Sequence, residues 1–418
     1  MKKRLMALFL AAAMTVAMVG CGTSKDNKST ENSSSTTKEK AESNKKAGDP
    51  ESKTAGKDLS AEGLGGYKIG FFYLPTSDVL SQQFHNTLDY CAELTNCEME
   101  YYDMTAWDSE AMSAAVETLV SNGCDGVIMV LGSSPALYEY MEENNVHYVA
   151  LTRSYTEELA KVVDGSEFNC GFVGDLGGEE GGNFKSGYDM AMVLAEEGCK
   201  NIALVGGSEG ETMNDERIAG MKAAAKETGM EVVAEYRGGD FNTGYADILA
   251  SYGSEIDGIG CTGGGDNGVA AIQAAGLTGQ IKLVQIDAPS GDTAEYLEAG
   301  MLTATYAGAS TYMIDTYMQL FNALSGADRL WNEADPRIVP QFQGFIVKTR
   351  DEYEAAVTYT DGEVPGGLLP DEILSFCSLT GGDEMTIEER EALVESYQNS
   401  DYWNIEDITA RVSSYLGE

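Results

Sequence analysis

Residues 201–225 read NIALVGGSEGETMNDERIAGMKAAA, and their pattern sets the fold. The apolar run NIALVGG gives way to a polar, glycine-containing turn and then, from Asp215, to a stretch whose apolar residues follow a helical period. A second apolar run, EVVAEYR at 231–237, comes next. Strand, helix, strand in this order is the repeating unit of a parallel sheet covered on both faces by helices.

The same alternation extends outward in both directions. Further strand candidates are YKIGFFYL (67–74), EMEYYDM (98–104), DGVIMVL (125–131), HYVALT (147–152), CGFVGD (170–175), DGIGCT (257–262), KLVQID (282–287) and LTATYAG (302–308). Between them lie helix candidates such as QQFHNTLDYCAEL (82–94), EAMSAAVETLVSNG (110–123), ALYEYMEENN (136–145), GGNFKSGYDMAMVLAEEG (181–198) and NGVAAIQAAG (267–276). Two copies of the unit fit the 418 residues, with the break between Thr152 and Gly171. The expected fold class is therefore α/β, with two Rossmann-like lobes built on parallel sheets. Beyond Gly344 the runs GFIVKT and TIEEREALVESYQ keep strand and helix character, so the tail is expected to fold and pack on the body.

The N-terminus fixes an address. Lys2, Lys3 and Arg4 precede an apolar run from Leu5 to Val16, and Met18-Val19-Gly20-Cys21 resembles a bacterial lipobox. This reads as a signal peptide over residues 1–20, with Cys21 as the lipid (palmitate) attachment point, because the apolar run is shorter than the ~20 residues a spanning helix needs. From Lys25 to Glu62 the sequence is mostly Ser, Thr, Lys, Glu and Asn, too polar to bury a core, so residues 21–66 read as a lipidated tether. The expected location is the extracellular face of a bacterial cell membrane.

The formal net charge of −41 argues against nucleic acid as a partner. Apart from Cys21 there are seven cysteines without CxxC spacing, which indicates neither a zinc site nor a dense disulfide framework. Cys91 and Cys97 are near enough in sequence for one local bridge, a point left open. No metal or cofactor is expected.

Two catalytic-looking patterns lose on context. Gly206-Gly207-Ser208-Glu209-Gly210 matches a nucleophile elbow, but both histidines, His85 and His147, precede Ser208, whereas that hydrolase order places the base after the serine. Gly258, Gly260 and Gly263 match a dinucleotide fingerprint with Asp287 downstream, yet the preceding SYGSEID is too polar for the buried strand that should lead into the turn. The chain is expected not to be an enzyme.

From Tyr67 to about Gly308 the sequence resembles the type I periplasmic-binding-protein family, the sugar-binding receptors of ABC importers related to ribose-binding protein. The resemblance rests on YKIGFF, SNGCDGVIMV, HYVALTR, GDLGGEEGGN, the 201–224 segment, GGDFNTGYAD, IDGIG followed by GGDNGVAAIQAAG, KLVQIDA and EAGMLTATYAG, in this order. It implies two lobes joined by a multi-strand hinge, a ligand in the cleft and closure on binding. On that basis residues 67–170 with about 308–340 form an N-terminal lobe, and 171–307 with about 341–418 form a C-terminal lobe and tail.

The resemblance also implies site residues. Arg153, Arg217, Asp266 and Asp287 match the family's ligand-contacting pattern, and Phe241 matches an aromatic stacking position. Charged groups that bond hydroxyls and rings that cover C–H faces suit a sugar. Plainer readings exist for each: Arg217 paired with Asp215 or Glu216, Arg153 in a hinge ion pair, Asp287 capping a turn, Phe241 as a lid contact. In the first loop, YLPTSDVLSQQF, Tyr73, Ser77 and Asp78 stand where the family carries an asparagine and an aromatic pair, and Ala307 replaces a common glutamine. The implied function is capture of a small polar ligand, with a sugar as the expected class, by a monomer that delivers it to an ABC permease. Alternatives within the fold are a ligand-sensing receptor, or a nucleoside or autoinducer ligand.

Overall fold

The computed structural model describes residues 65–106, 108–130, 134–152, 157–174, 182–286, 292–326, 338–340, 344–360, 364–375 and 405–417. Cys21, Arg153, Asp287 and the helix candidate at 386–398 lie outside them.

The apolar runs assemble into two six-stranded sheets. In chain order the first holds β1 (Lys68–Tyr73), β2 (Glu98–Asp103), β3 (Gly126–Val130), β4 (His147–Thr152), β5 (Asn169–Gly174) and β11 (Ile338–Pro340). Its spatial order is β11-β5-β4-β3-β1-β2, parallel throughout. The second holds β6 (Asn201–Gly206), β7 (Glu231–Arg237), β8 (Gly258–Cys261), β9 (Lys282–Gln285), β10 (Ala304–Ala307) and β12 (Phe345–Val347). Its order is β12-β10-β9-β8-β6-β7, with only the β10–β12 pairing antiparallel.

Burial explains the unbroken apolar runs. Ile69 to Phe72 in β1 and all of β3 are buried, as central parallel strands covered on both faces must be. Alternate residues feed opposite layers. Ile69 and Phe71 pack with α1 (Val79–Thr95) and α10 (Tyr312–Leu324), while Phe72, Val127 and Met129 pack with α2 (Ser109–Ser121), α3 (Pro135–Asn144) and α4 (Glu157–Val163). In the second sheet Ile202, Leu204 and Val284 face α5 (Gly182–Glu196) and α6 (Thr212–Thr228). Ala203, Val205, Ile259 and Leu283 face α7 (Phe241–Tyr252), α8 (Gly265–Ala274) and α9 (Thr293–Glu298).

Two features of the layout concern the strand between the sheets and the tail. β5 pairs with β4 and β11, so the first sheet runs through Gly174 rather than ending at residue 170. The tail divides between the lobes. Its helix α11 (Arg350–Thr360) packs on α9, whereas the 3₁₀ turn Pro365–Gly367 and α12 (Pro370–Ser375) pack on α1. The last helix, α13 (Ile405–Leu416), lies on α11.

The fingerprint glycines serve packing. Gly258 and Gly260 lie inside β8, where a side chain would press on Cys199 and Ile202 or on Met221 and Leu204. All six described cysteines are free, so the optional Cys91–Cys97 bridge is not formed. Five of them are buried, and burial pushes the Cys91 thiol up and those of Cys124 and Cys199 up to about 11.

Candidate functional site

Strand carboxyl ends are where open α/β sheets gather ligands. In the second lobe the stretch from the end of β8 into the first turn of α8, Thr262 to Asp266, is the centre of such a gathering. On one side Arg217, half-buried in α6, donates from Nη1 to the Thr262 carbonyl at 3.1 Å. On the other, the Phe241 ring lies against Gly264, where a Cβ would stand 2.7 Å from the ring's Cγ. Gly264 has φ +68°, a left-handed conformation that favours glycine and sets the start of α8. Asp266 follows in the first turn of that helix, exposed. Burial raises the Tyr296 phenol pKa, and the charges of Asp266 and Asp292 add to the rise.

A buried polar network holds this loop. The Thr262 hydroxyl donates to Asn214 Oδ1 and accepts from the Gly207 amide at 3.3 Å, and Asn214 Nδ2 donates to Glu211 Oε2 at 2.6 Å. The turn after β6 is fixed from its far side by Arg237. Its Nε donates to the Gly207 carbonyl at 2.9 Å, and Nη2 donates to the Ser208 carbonyl at 3.3 Å and to Asp215 Oδ1 at 2.5 Å. Asp215 is thereby engaged with Arg237 and with the Gly210 amide, and Glu216 accepts from Asn183 at 3.1 Å. The Gln285 side chain, 3% exposed, fills the space a side chain at Gly265 would take and donates to Thr305 Oγ1 at 3.1 Å.

Three of the expected residues thus meet at one loop. Tyr73, Ser77 and Asp78 stand at the carboxyl end of β1 in the first sheet. The half-buried Tyr73 ring packs edge-on against Phe84, with centroids 5.3 Å apart, and Ser77 is exposed. Asp78 caps α1, accepting from the Ser81 amide at 2.9 Å. A cap of this kind is worth about 1 kcal/mol, so Asp78→Ala should lower the urea-unfolding stability by that amount while Asp78→Asn, which also caps, should stay near wild type. Equal losses in both variants would show that the carboxylate does something besides capping.

Arg237, Asn214 and Thr262 were not singled out from sequence. Thr262 was within reach of the strand-end rule, since it directly follows β8. Asn214 and Arg237 act on backbone and neighbouring side chains from other elements, which no local pattern reveals. As for the serine motif, His85 stacks on Tyr101 at 3.9 Å and His147 sits edge-on to Phe168 at 5.4 Å, both in the first lobe and away from Ser208.

A family model described as a periplasmic binding protein domain matches residues 69–328. No curated protein matches the chain. Among solved structures it is similar to an arabinose binding protein from Geobacillus stearothermophilus, at 18% identity and TM-score 0.57 over 70% of this chain and 99% of that one. It is also similar to an ABC transporter periplasmic solute binding protein from Actinobacillus succinogenes with bound D-allose, at 18% identity and TM-score 0.56 over 69% of this chain and 99% of that one. A periplasmic ribose ABC transporter protein from Conexibacter woesei gives 16% identity and TM-score 0.56 over 71% and 95%. At these identities the likeness speaks for the fold.

Proposed function

The chain belongs to the periplasmic binding protein domain family, and from that premise we propose that it is a lipid-anchored, extracellular solute-binding protein that captures a sugar between its lobes and delivers it to an ABC permease. The observation that carries the reading is the convergence of Arg217, Phe241 and Asp266 on the Thr262–Asp266 loop. A guanidinium and a carboxylate give charge-assisted bonds to hydroxyls, and a ring beside them covers an apolar sugar face. Arg153 and Asp287 complete the polar set in this proposal, with Tyr73, Ser77 and Asp78 contributed from the opposite lobe. The similar structures that carry allose, arabinose and ribose in their names support the sugar class.

No chemistry is required of such a site. Binding contacts made only when the lobes close shift the open–closed equilibrium, and the closed form is what a permease would recognise. Cys21 supplies the anchor and residues 21–66 the reach.

The test is a thermal-shift screen of the chain from Tyr67 onward against pentoses, hexoses, inositols and nucleosides. A saturating ligand at about 100 times its Kd should stabilise by about 2.7 kcal/mol, a shift of several degrees. A response to nucleosides alone would overturn the sugar assignment, and a covalently altered product recovered from the incubation would overturn the non-catalytic reading.

A further inference from the structure

The chain passes from the second sheet to the first between β10 and α10. At that crossing stand Gly308, with φ +86°, and the 3₁₀ turn Ala309–Thr311. The family match ends at residue 328, and everything from β12 onward lies beyond it. This extra segment is anchored at three places.

Its first anchorage is on the second lobe. β12 pairs with β10, Lys348 Nζ meets Glu196 Oε2 of α5 at 2.8 Å, and Arg350 Nη1 meets Glu298 Oε2 of α9 at 2.5 Å. The next is at the crossing itself. The Phe345 ring stands beside Gly308, and Gly366, with φ +76°, lies so close to Ile314 that a Cβ there would collide with its side chain. The last is on the first lobe, where the turn and α12 pack on α1 with Val364, Leu368 and Ile373 buried.

Within the segment, Arg411 of α13 grips Glu372 of α12 through both carboxylate oxygens, at 2.7 and 2.6 Å, and donates to the Gly367 carbonyl at 3.3 Å. Ile408 and Val412 of α13 are themselves fully buried. The segment is therefore tied together internally and fastened to both lobes.

We propose that β12, α11, the Pro365–Gly367 turn, α12 and α13 form a strap across the hinge that restricts how far the two lobes swing apart. A rotation at Gly308–Thr311 moves Glu196 and Glu298 relative to α1, so the strap must either shear at Gly366–Ile314 or release its ion pairs. The pairs on the second lobe are exposed and individually weak, whereas the contacts at the crossing and on α1 are apolar and buried. Opening beyond the observed arrangement is thus opposed mainly by the Gly366, Leu368 and Ile373 contacts. The inference draws on the two-lobe reading but not on what the cleft binds.

The experiment is single-molecule energy transfer on the full mature chain without ligand, with dyes on genetically encoded amino acids at Glu117 of α2 and Lys226 of α6, both exposed. Gly366→Val, which drives a side chain into Ile314, should widen the interlobe distance distribution roughly twofold by populating a more open state. The pair Ile373→Ala with Arg411→Ala loosens the same segment without a steric clash, and serves if the glycine variant does not fold. Distributions as narrow as wild type in the folded variants would overturn the strap.

Discussion

Gly187→Val should leave the second lobe unable to hold its native fold. Gly187 of α5 lies against the main-chain carbonyl of Arg217 in α6, and Gly220 of α6 lies equally close to the carbonyl of Phe184 in α5. The two helices cross backbone to backbone, and a side chain at either glycine meets main chain, which cannot rotate away. Overpacking of this kind costs about 3 kcal/mol or more, against a total stability of roughly 5–15 kcal/mol for a domain. The expected result is a large drop in the urea midpoint. As a comparison, Gly123→Ala meets no atom within 4 Å and suffers only left-handed strain, φ +79°, which costs about 1–2 kcal/mol. If Gly187→Val unfolds no more readily than Gly123→Ala, the close crossing is not as described. The crossing also reaches the site, because the residue that Gly187 accommodates is Arg217.

Arg217→Ala should cut the thermal shift given by whichever ligand the screen identifies to about half or less at the same ligand concentration. A hydrogen bond from a charged group contributes about 1.5–3 kcal/mol, so affinity should fall about 10- to 100-fold, and more if the guanidinium makes two such bonds. The ligand-free protein loses the bond to the Thr262 carbonyl, itself one from a charged group, so the shift is read against the variant's own ligand-free melting curve. That separation of effects is the signature of a ligand contact. A full ligand response in Arg217→Ala would remove Arg217 from the cleft and weaken the case for the whole loop. Asp287→Ala is expected to behave in the same way.

The strands that alternation made legible are those with continuous apolar runs, because a central parallel strand is buried on both faces and hides nothing from its sequence. β11 escaped for the opposite reason: Ile338–Pro340 is three residues long at a sheet edge and ends in proline. α10 was not read as a helix although Asp315, Thr316, Gln319 and Asn322 fall at helical spacing on one face; what the sequence does not announce is that this polar face is buried as fully as the apolar one, with Met313 to Asn322 all buried. The pairing of β5 with β4 and β11 was not legible, since nothing in CGFVGD says with which neighbour it pairs.

At the site, family-type positions on single motifs, Arg217, Phe241 and Asp266, were readable one by one. Their meeting at Thr262–Asp266 was not, because three separate connections bring them there. Arg237 was invisible for the same reason, being remote in sequence from the Gly207 and Ser208 carbonyls it holds.

The buried thiols bear on how long the folded protein lasts. Five of the six described cysteines are sealed in the core, and burial raises the thiol pKa of Cys91, Cys124 and Cys199, so their nucleophilic thiolate is scarce while the fold is intact. Unfolding exposes all of them at once. In an oxidising medium the thiols of the released chain are open to crosslinking, which opposes return to the native state. Survival is then governed by the rate of unfolding rather than by an equilibrium, and the core acts as a one-way seal on its own chemistry.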